Sequence, residues 1–175
     1  MIGDRWGVTD AEVARRYPCD DVVQAPTLQA WRGVTVRAPA ERVWPWVTQI
    51  RLAPYAYDWI DNLGRRSPRE LRGLPEPRVG EPFTAAFGGR PAGRILSVEP
   101  GAQLTGLIIG AAMSYVLVPL PDDRGSTRLL LKVAAPGRPA IAPLLCAGDL
   151  VMARRQLRTL ARLAEAGHRD QDGER

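Results

Sequence analysis

Tyr55-Ala56-Tyr57-Asp58-Trp59 puts two phenols, a carboxylate and an indole into five consecutive positions. In a pocket that excludes water, a phenol and a carboxylate can pass a proton to or from a bound molecule, and a guanidinium can steady the negative charge that develops. Tyr57, Asp58, Arg94 and Tyr115 are the side chains able to do such work. Their spacing compels no mechanism, so no catalytic residue is assigned. Tyrosine and tryptophan offer an apolar body with a polar tip that seeks a partner when buried. On that basis Tyr55, Tyr57, Asp58, Trp59, Arg94 and Tyr115 are candidate ligand-binding residues.

Several other chemistries are excluded by what is missing. His168 is the single histidine and lies in a charged tail, "EAGHRDQDGER", so a histidine triad or a multi-histidine metal site cannot be built. Cys19 and Cys146 are far apart without metal-like spacing and read as two reduced thiols. Asp58 and Asp61 are as easily one exposed helix face, and Asp149 reads as the start of a helix. Gly88-Gly89 lacks the Lys-Ser/Thr pair of a phosphate loop and reads as a hairpin turn. No metal and no cofactor is expected. Of the 24 basic residues only Lys132 is lysine, and the net charge is +5. Arginines gather in 65–78 and 154–169, but glutamates dilute them and no aromatic interleaving accompanies them, so no nucleic-acid partner is expected. Asp4 and Arg5 interrupt the start where a secretory leader would be apolar, which points to a cytoplasmic location.

The elements that must position these residues follow from periodicity. "TDAEVARRYP" offers Thr9 or Asp10 as a cap for a short helix stopped by Pro18. In "TLQAWRGVTVRAP", Leu28, Ala30, Arg32, Val34 and Val36 alternate with Trp31, Gly33, Thr35 and Arg37, which predicts a strand. "APAERVWPWVTQI" reads as a helix in which Pro45 should lie near the first turn or at a kink, since its missing N–H is cheap only there. In "YAYDWIDNLG", Tyr55, Trp59 and Leu63 would share a face of a second short helix ended by Gly64. Residues 65–82 read as a surface loop. Five strands follow, over 83–87, 92–100, 103–109, 113–120 and 126–136, the last two joined by the turn "PDDRGS". The uncharged stretch 100–121 reads as two strands and a turn rather than a membrane span, because Gln103, Thr105, Ser114 and two closing prolines interrupt it. From about 148 to 166 the period changes, with Leu150, Ala153, Leu157, Leu160 and Ala164 on one stripe of a long helix. The order is strand, two short helices, five strands and a long helix, which describes a two-layer α+β domain.

"WRGVTVRAPAERVWPWVTQI" followed by "PYAYDWIDNLGR" resembles the opening of the START-like superfamily, also called SRPBCC or polyketide cyclase/dehydrase-like proteins. The resemblance rests on Ala38-Pro39, on Pro39 through Trp44, and on Tyr55 through Trp59. It implies a helix-grip fold: a curved antiparallel sheet of six to seven strands around the long C-terminal helix, with two short helices after the first strand, enclosing an apolar cavity. Residues 1–27 would be an N-terminal extension, 28–167 the ligand-binding domain and 168–175 a polar tail. The function expected is binding or carrying of a small apolar or aromatic molecule, with a cyclase- or dehydratase-like enzyme as the alternative. Small residues along the last helix should leave a void of at least about 300 Å³ touching Tyr55, Tyr57, Asp58 or Trp59.

Overall fold

The computed structural model of the chain describes residues 3–86, 88–121, 123–136 and 142–172, without the side chains of 61, 124, 142–147 and 168–172. Asp122 of the hairpin turn, Phe87, and the side chains of Leu144, Cys146, Ala147 and His168 therefore lie outside the described part.

The chain opens with β1 (Arg5–Trp6) and α1 (Asp10–Ala14). Thr9 caps α1: its hydroxyl accepts from the Glu12 N–H, and the Glu12 carboxylate accepts from the Thr9 N–H at 2.8 Å. A 3₁₀ turn at Pro18–Asp20 leads to β2 (Leu28–Val36), then α2 (Ala40–Thr48), a 3₁₀ turn at Gln49–Arg51 and α3 (Asp58–Asp61). After the loop come β3 (Thr84–Ala86), β4 (Arg90–Ala92), β5 (Arg94–Glu99), β6 (Gln103–Ile108), β7 (Ala111–Leu120) and β8 (Asp123–Ala135). The last element is α4 (Ala142–Asp172).

Six strands form one sheet in the order β1-β2-β8-β7-β6-β5, antiparallel throughout except where β1 lies parallel to β2. The sheet wraps around α4 in a helix-grip topology. β3 and β4 pair separately. The expected strand over 92–100 is divided, because Gly93 takes a positive φ between β4 and β5. The stretch 100–121 is β6, a turn and β7, and no described helix is long and apolar enough to cross a membrane.

The alternation in β8 sorts the two faces of the sheet. Leu129, Leu131 and Val133 point to α4 and meet Leu157, Leu160, Ala161 and Ala164 in the main core. Leu130 and Ala134 point outward into a smaller cluster with Tyr17 and Cys19, so the N-terminal segment covers the outer face. Each fully buried leucine stabilises the fold by about 1.5–3 kcal/mol. Gly106 on β6 is a close-approach position: a Cβ there would stand 2.1 Å from the Phe83 ring.

Two local expectations meet the structure: the first-turn place for Pro45 is excluded, though the helix does not run unbroken from 40 to 51, and the shared face of Tyr55, Trp59 and Leu63 is corrected. Pro45 lies inside α2, at its sixth residue, rather than in the first turn. Its missing N–H would have served the carbonyl of Glu41, so the defect falls within a nine-residue helix that ends at Thr48, whose hydroxyl donates to the Pro45 carbonyl at 3.0 Å. Nor do Tyr55, Trp59 and Leu63 share a helical face. Tyr55 and Leu63 both take positive φ, 58° and 50°, leaving a helix of only four residues between them. Tyr55 is buried while Trp59 is 73% exposed.

Candidate functional site

Arg32 is where the apolar alternation of β2 breaks, and its side chain is fully buried on the face toward α4. A buried cation needs an anion and hydrogen bonds. Asp149 on α4 supplies the charge, its Oδ2 accepting from the Arg32 guanidinium at 3.0 Å. The same guanidinium donates to the carbonyl of Asp4 at 2.7 Å and that of Trp31 at 3.0 Å. Asp149 thus sits inside α4, seven residues after its first residue Ala142, and is a partner for Arg32 rather than a helix start. Burial pushes its carboxyl above the usual aspartate range, and the nearby Arg32 offsets only part of that push.

Asp149 faces an apolar pocket of about 220 Å³ between the sheet and α4. Ile50, Phe83, Ile108, Met113, Met152 and Ala153 supply most of the wall, with Pro54 and Ala56 on one side. Four polar side chains interrupt the apolar surface, Thr84, Asp149, Tyr115 and Gln156, and the Thr84 hydroxyl is already committed as a donor to the Ile50 carbonyl at 2.8 Å. The Tyr115 hydroxyl donates to Gln156 Oε1 at 2.6 Å, and Gln156 Nε2 donates to the Pro54 carbonyl at 2.5 Å. This chain ties β7, α4 and the 53–57 segment together across the pocket. Burial, and next the negative charge of Asp149, raise the Tyr115 phenol well above its ordinary value. The phenol therefore stays protonated at neutral pH and is committed as a donor to Gln156.

A second hollow lies beyond Pro54–Ala56. This cleft of about 270 Å³ is bordered by Tyr55, Ala56, Asp58 and Ser67, with Arg69, Arg155 and Arg162 around it. Asp58 is tied to the loop wall, accepting from the Ser67 hydroxyl at 2.6 Å and the Ser67 N–H at 3.1 Å.

The six sequence candidates are consequently separated. Tyr115 borders the apolar pocket, whereas Tyr55 and Asp58 border the polar cleft. The Tyr55 hydroxyl is turned into the protein, accepting from Gln49 Nε2 at 2.7 Å. Tyr57 precedes α3 with the Arg155 guanidinium 5.8 Å above its ring. Trp59 points outward, and Arg94 is exposed at the start of β5, paired with Leu107. Of these two hollows neither reaches the expected size of about 300 Å³: the apolar pocket, about 220 Å³, meets Pro54 and Ala56 rather than the four named residues, while the cleft of about 270 Å³ is bordered by two of them, Tyr55 and Asp58. The Phe83 and Tyr115 rings, 6.2 Å apart, stand in the pocket wall with Ala153 of α4.

Arg32, Asp149 and Gln156 are the site residues that sequence reasoning missed. A signal for them was present. Arg32 stands on the apolar face of its strand, and Asp149 and Gln156 are seven apart, two helical turns, beside the apolar stripe of α4. Among the described residues no group of three or more His, Cys, Asp or Glu is placed to hold a metal ion.

No protein-family model matches the sequence, and no curated protein does either. Solved structures do match. A structural-genomics protein from Mesorhizobium loti aligns with a TM-score of 0.55 at 19% identity, covering 79% of this chain and 97% of its own. One from Nitrosomonas europaea gives 0.53 at 16% identity, covering 81% and 96%. A third, from Nitrosospira multiformis, gives 0.52 at 12% identity, covering 81% and 99%. At such identities the likeness shows the fold alone.

Proposed function

We propose that this protein binds or carries a small apolar or aromatic molecule in the pocket between the sheet and α4, and that it is a member of the START-like superfamily with residues 28–167 as its ligand-binding domain. The observation that carries this reading is the composition of the pocket: about 220 Å³ with a mainly apolar wall and four polar side chains, Thr84, Tyr115, Asp149 and Gln156. Apolar walls with a few placed polar groups are the usual make-up of small-molecule sites. The volume suits a ligand of one or two rings or a short alkyl chain. Mass spectrometry of the denatured protein tests it. An apolar compound should be released in near-stoichiometric amount from the wild type and in much smaller amount from an Ala153→Phe variant that folds but fills the pocket; equal release from both removes the reading.

A cyclase- or dehydratase-like activity is the second reading, and one observation favours it. Asp149 combines a raised pKa, an ion pair with Arg32 and a place on the pocket wall near Tyr115, which are the properties of a tuned acid or base. Asp149→Asn separates the two readings. A carrier variant changes ligand retention alone, whereas an enzyme variant that still retains ligand loses turnover.

A further inference from the structure

The cleft beyond Ala56 has an unusual charge balance. Arg155, Thr159 and Arg162 occupy one face of α4 at spacings of four and three, and Arg69 approaches from the loop opposite. The ion pairs of the described residues involve Arg5, Arg16, Arg32, Arg51, Arg128 and Lys132, and none involves these three arginines. Among the described residues Asp58 is the one carboxylate on the cleft wall, and both of its oxygens already accept from Ser67. The Thr159 hydroxyl donates to the Arg155 carbonyl at 2.8 Å. Among the described residues, what remains facing the hollow is three guanidiniums, that of Arg155 lying over the Tyr57 ring, against one carboxylate, an excess of two positive charges. Guanidinium is a fork of N–H donors shaped for a carboxylate or a phosphate.

The position of the cleft adds a second constraint. Ala56 forms wall in both the cleft and the apolar pocket, so the two hollows are separated by little more than the Pro54–Ala56 strap. That strap is held from both sides, by Gln156 on the Pro54 carbonyl and by Gln49 on the Tyr55 hydroxyl. We propose that the cleft receives the carboxylate or phosphate head of an amphiphile whose apolar part occupies the pocket. The proposal rests on the pocket being an apolar ligand site. The ligand class is thereby narrowed from any small apolar molecule to an anionic one, with the head on Arg69, Arg155 and Arg162.

Isothermal titration with octanoate, octyl phosphate, octan-1-ol and inorganic phosphate tests it. Wild type should bind both octyl anions at least about tenfold more tightly than octanol, the effect of one or two charge-assisted hydrogen bonds. Arg155→Gln with Arg162→Gln should remove that preference and leave octanol binding unchanged. Arg154→Gln with Arg158→Gln, whose guanidiniums lie over the Trp6 ring, removes the same charge from the neighbouring face and should leave the preference intact. Equal binding of octanoate and octanol by wild type would overturn the proposal, as would equal loss in the two double variants. Failure of the pocket reading looks different: octanol and the octyl anions do not bind, while inorganic phosphate binds wild type and not the Arg155/Arg162 variant. That result also overturns the head-and-tail ligand, leaving a site for free anions.

Discussion

Arg32 and Lys132 are buried cations on neighbouring strands, pointing to opposite faces of the sheet, and they have been put to different use. Lys132 on the outer face is enclosed. Its ammonium meets the Asp20 carboxylate and lies 5.5 Å from the Tyr17 ring centre and 5.0 Å from that of Trp31, its cross-strand partner. Beside it, the backbone N–H of Cys19 donates to the Ser114 hydroxyl at 2.9 Å, and burial pushes the Cys19 thiol above its ordinary value. This face is a fastening for the N-terminal segment. Arg32 on the inner face also has its anion, yet that anion borders a hollow. A charge with all its partners supplied by the protein reads as structure; one whose partner faces an apolar pocket reads as a site.

Removing each cation should break the comparison unequally. Arg32→Met leaves Asp149 largely buried without its counter-charge and is expected to cost about 3–5 kcal/mol of folding stability in urea titration. Arg32→Met with Asp149→Leu should recover at least half of that loss, because an apolar pair of similar volume carries no desolvation penalty. A double variant as unstable as the single would show that the other hydrogen bonds of Arg32, not the ion pair, matter most. Lys132→Met should cost less, about 1–3 kcal/mol, since the carboxylates left behind differ little in exposure, 29% for Asp20 against 22% for Asp149, while Arg32→Met also loses the hydrogen bonds to the Asp4 and Trp31 carbonyls. A loss as large as that from Arg32→Met would erase the distinction between the faces.

pH should sharpen the same contrast with a smaller effect. Glu12 of the N-terminal segment receives Arg128 at 2.7 and 3.0 Å. Burial pushes its carboxyl up, but the hydrogen bonds from Arg128 and Thr9 outweigh that and hold it below the ordinary glutamate value of 4.5. A lowered folded pKa means a contribution fully present above 4.5 and lost as pH falls through the folded value. Asp149 has the opposite sign. Its raised pKa gives a contribution present below the ordinary 3.8 and lost as pH rises through the folded value. The stability difference between wild type and Glu12→Gln should therefore shrink as urea midpoints are taken from pH 7 to pH 3. A difference independent of pH would remove Glu12 from the fastening.

The contrast between the faces also explains how much was legible in the sequence. Strand alternation at 28–36 and 126–133 and the helical stripe from Leu150 to Ala164 express burial on one side of a regular element, which is a local property. The two-layer α+β order followed from them, and the helix-grip arrangement from the resemblance carried by Ala38-Pro39, Pro39 through Trp44 and Tyr55 through Trp59. β1 was not legible because two residues carry no period. Nor was the 55–63 segment, where Tyr55 and Leu63 adopt left-handed backbone that apolar spacing cannot reveal. The site was only partly legible. Tyr115, singled out as an aromatic with a polar tip, borders the pocket, whereas Asp149, Gln156 and the Arg32 that pairs with Asp149 come together only when β2 and α4 do, 117 positions apart for the ion pair. Their trace in the sequence is a polar residue on an apolar face, which looks the same as an ordinary buried ion pair until the pocket beside it is known.

The central claim is that the space between the sheet and α4 accepts an apolar guest. The chain has three methionines, and two of them, Met113 on β7 and Met152 on α4, line that pocket from opposite sides. Methyl-labelled methionine should therefore give three carbon-13 resonances that report on the pocket directly while indole is titrated in. The account predicts that the Met113 and Met152 methyls shift together, saturably, by the ring current of the bound aromatic. Saturating indole that moves neither methyl, or moves all three in proportion to its concentration, would contradict it.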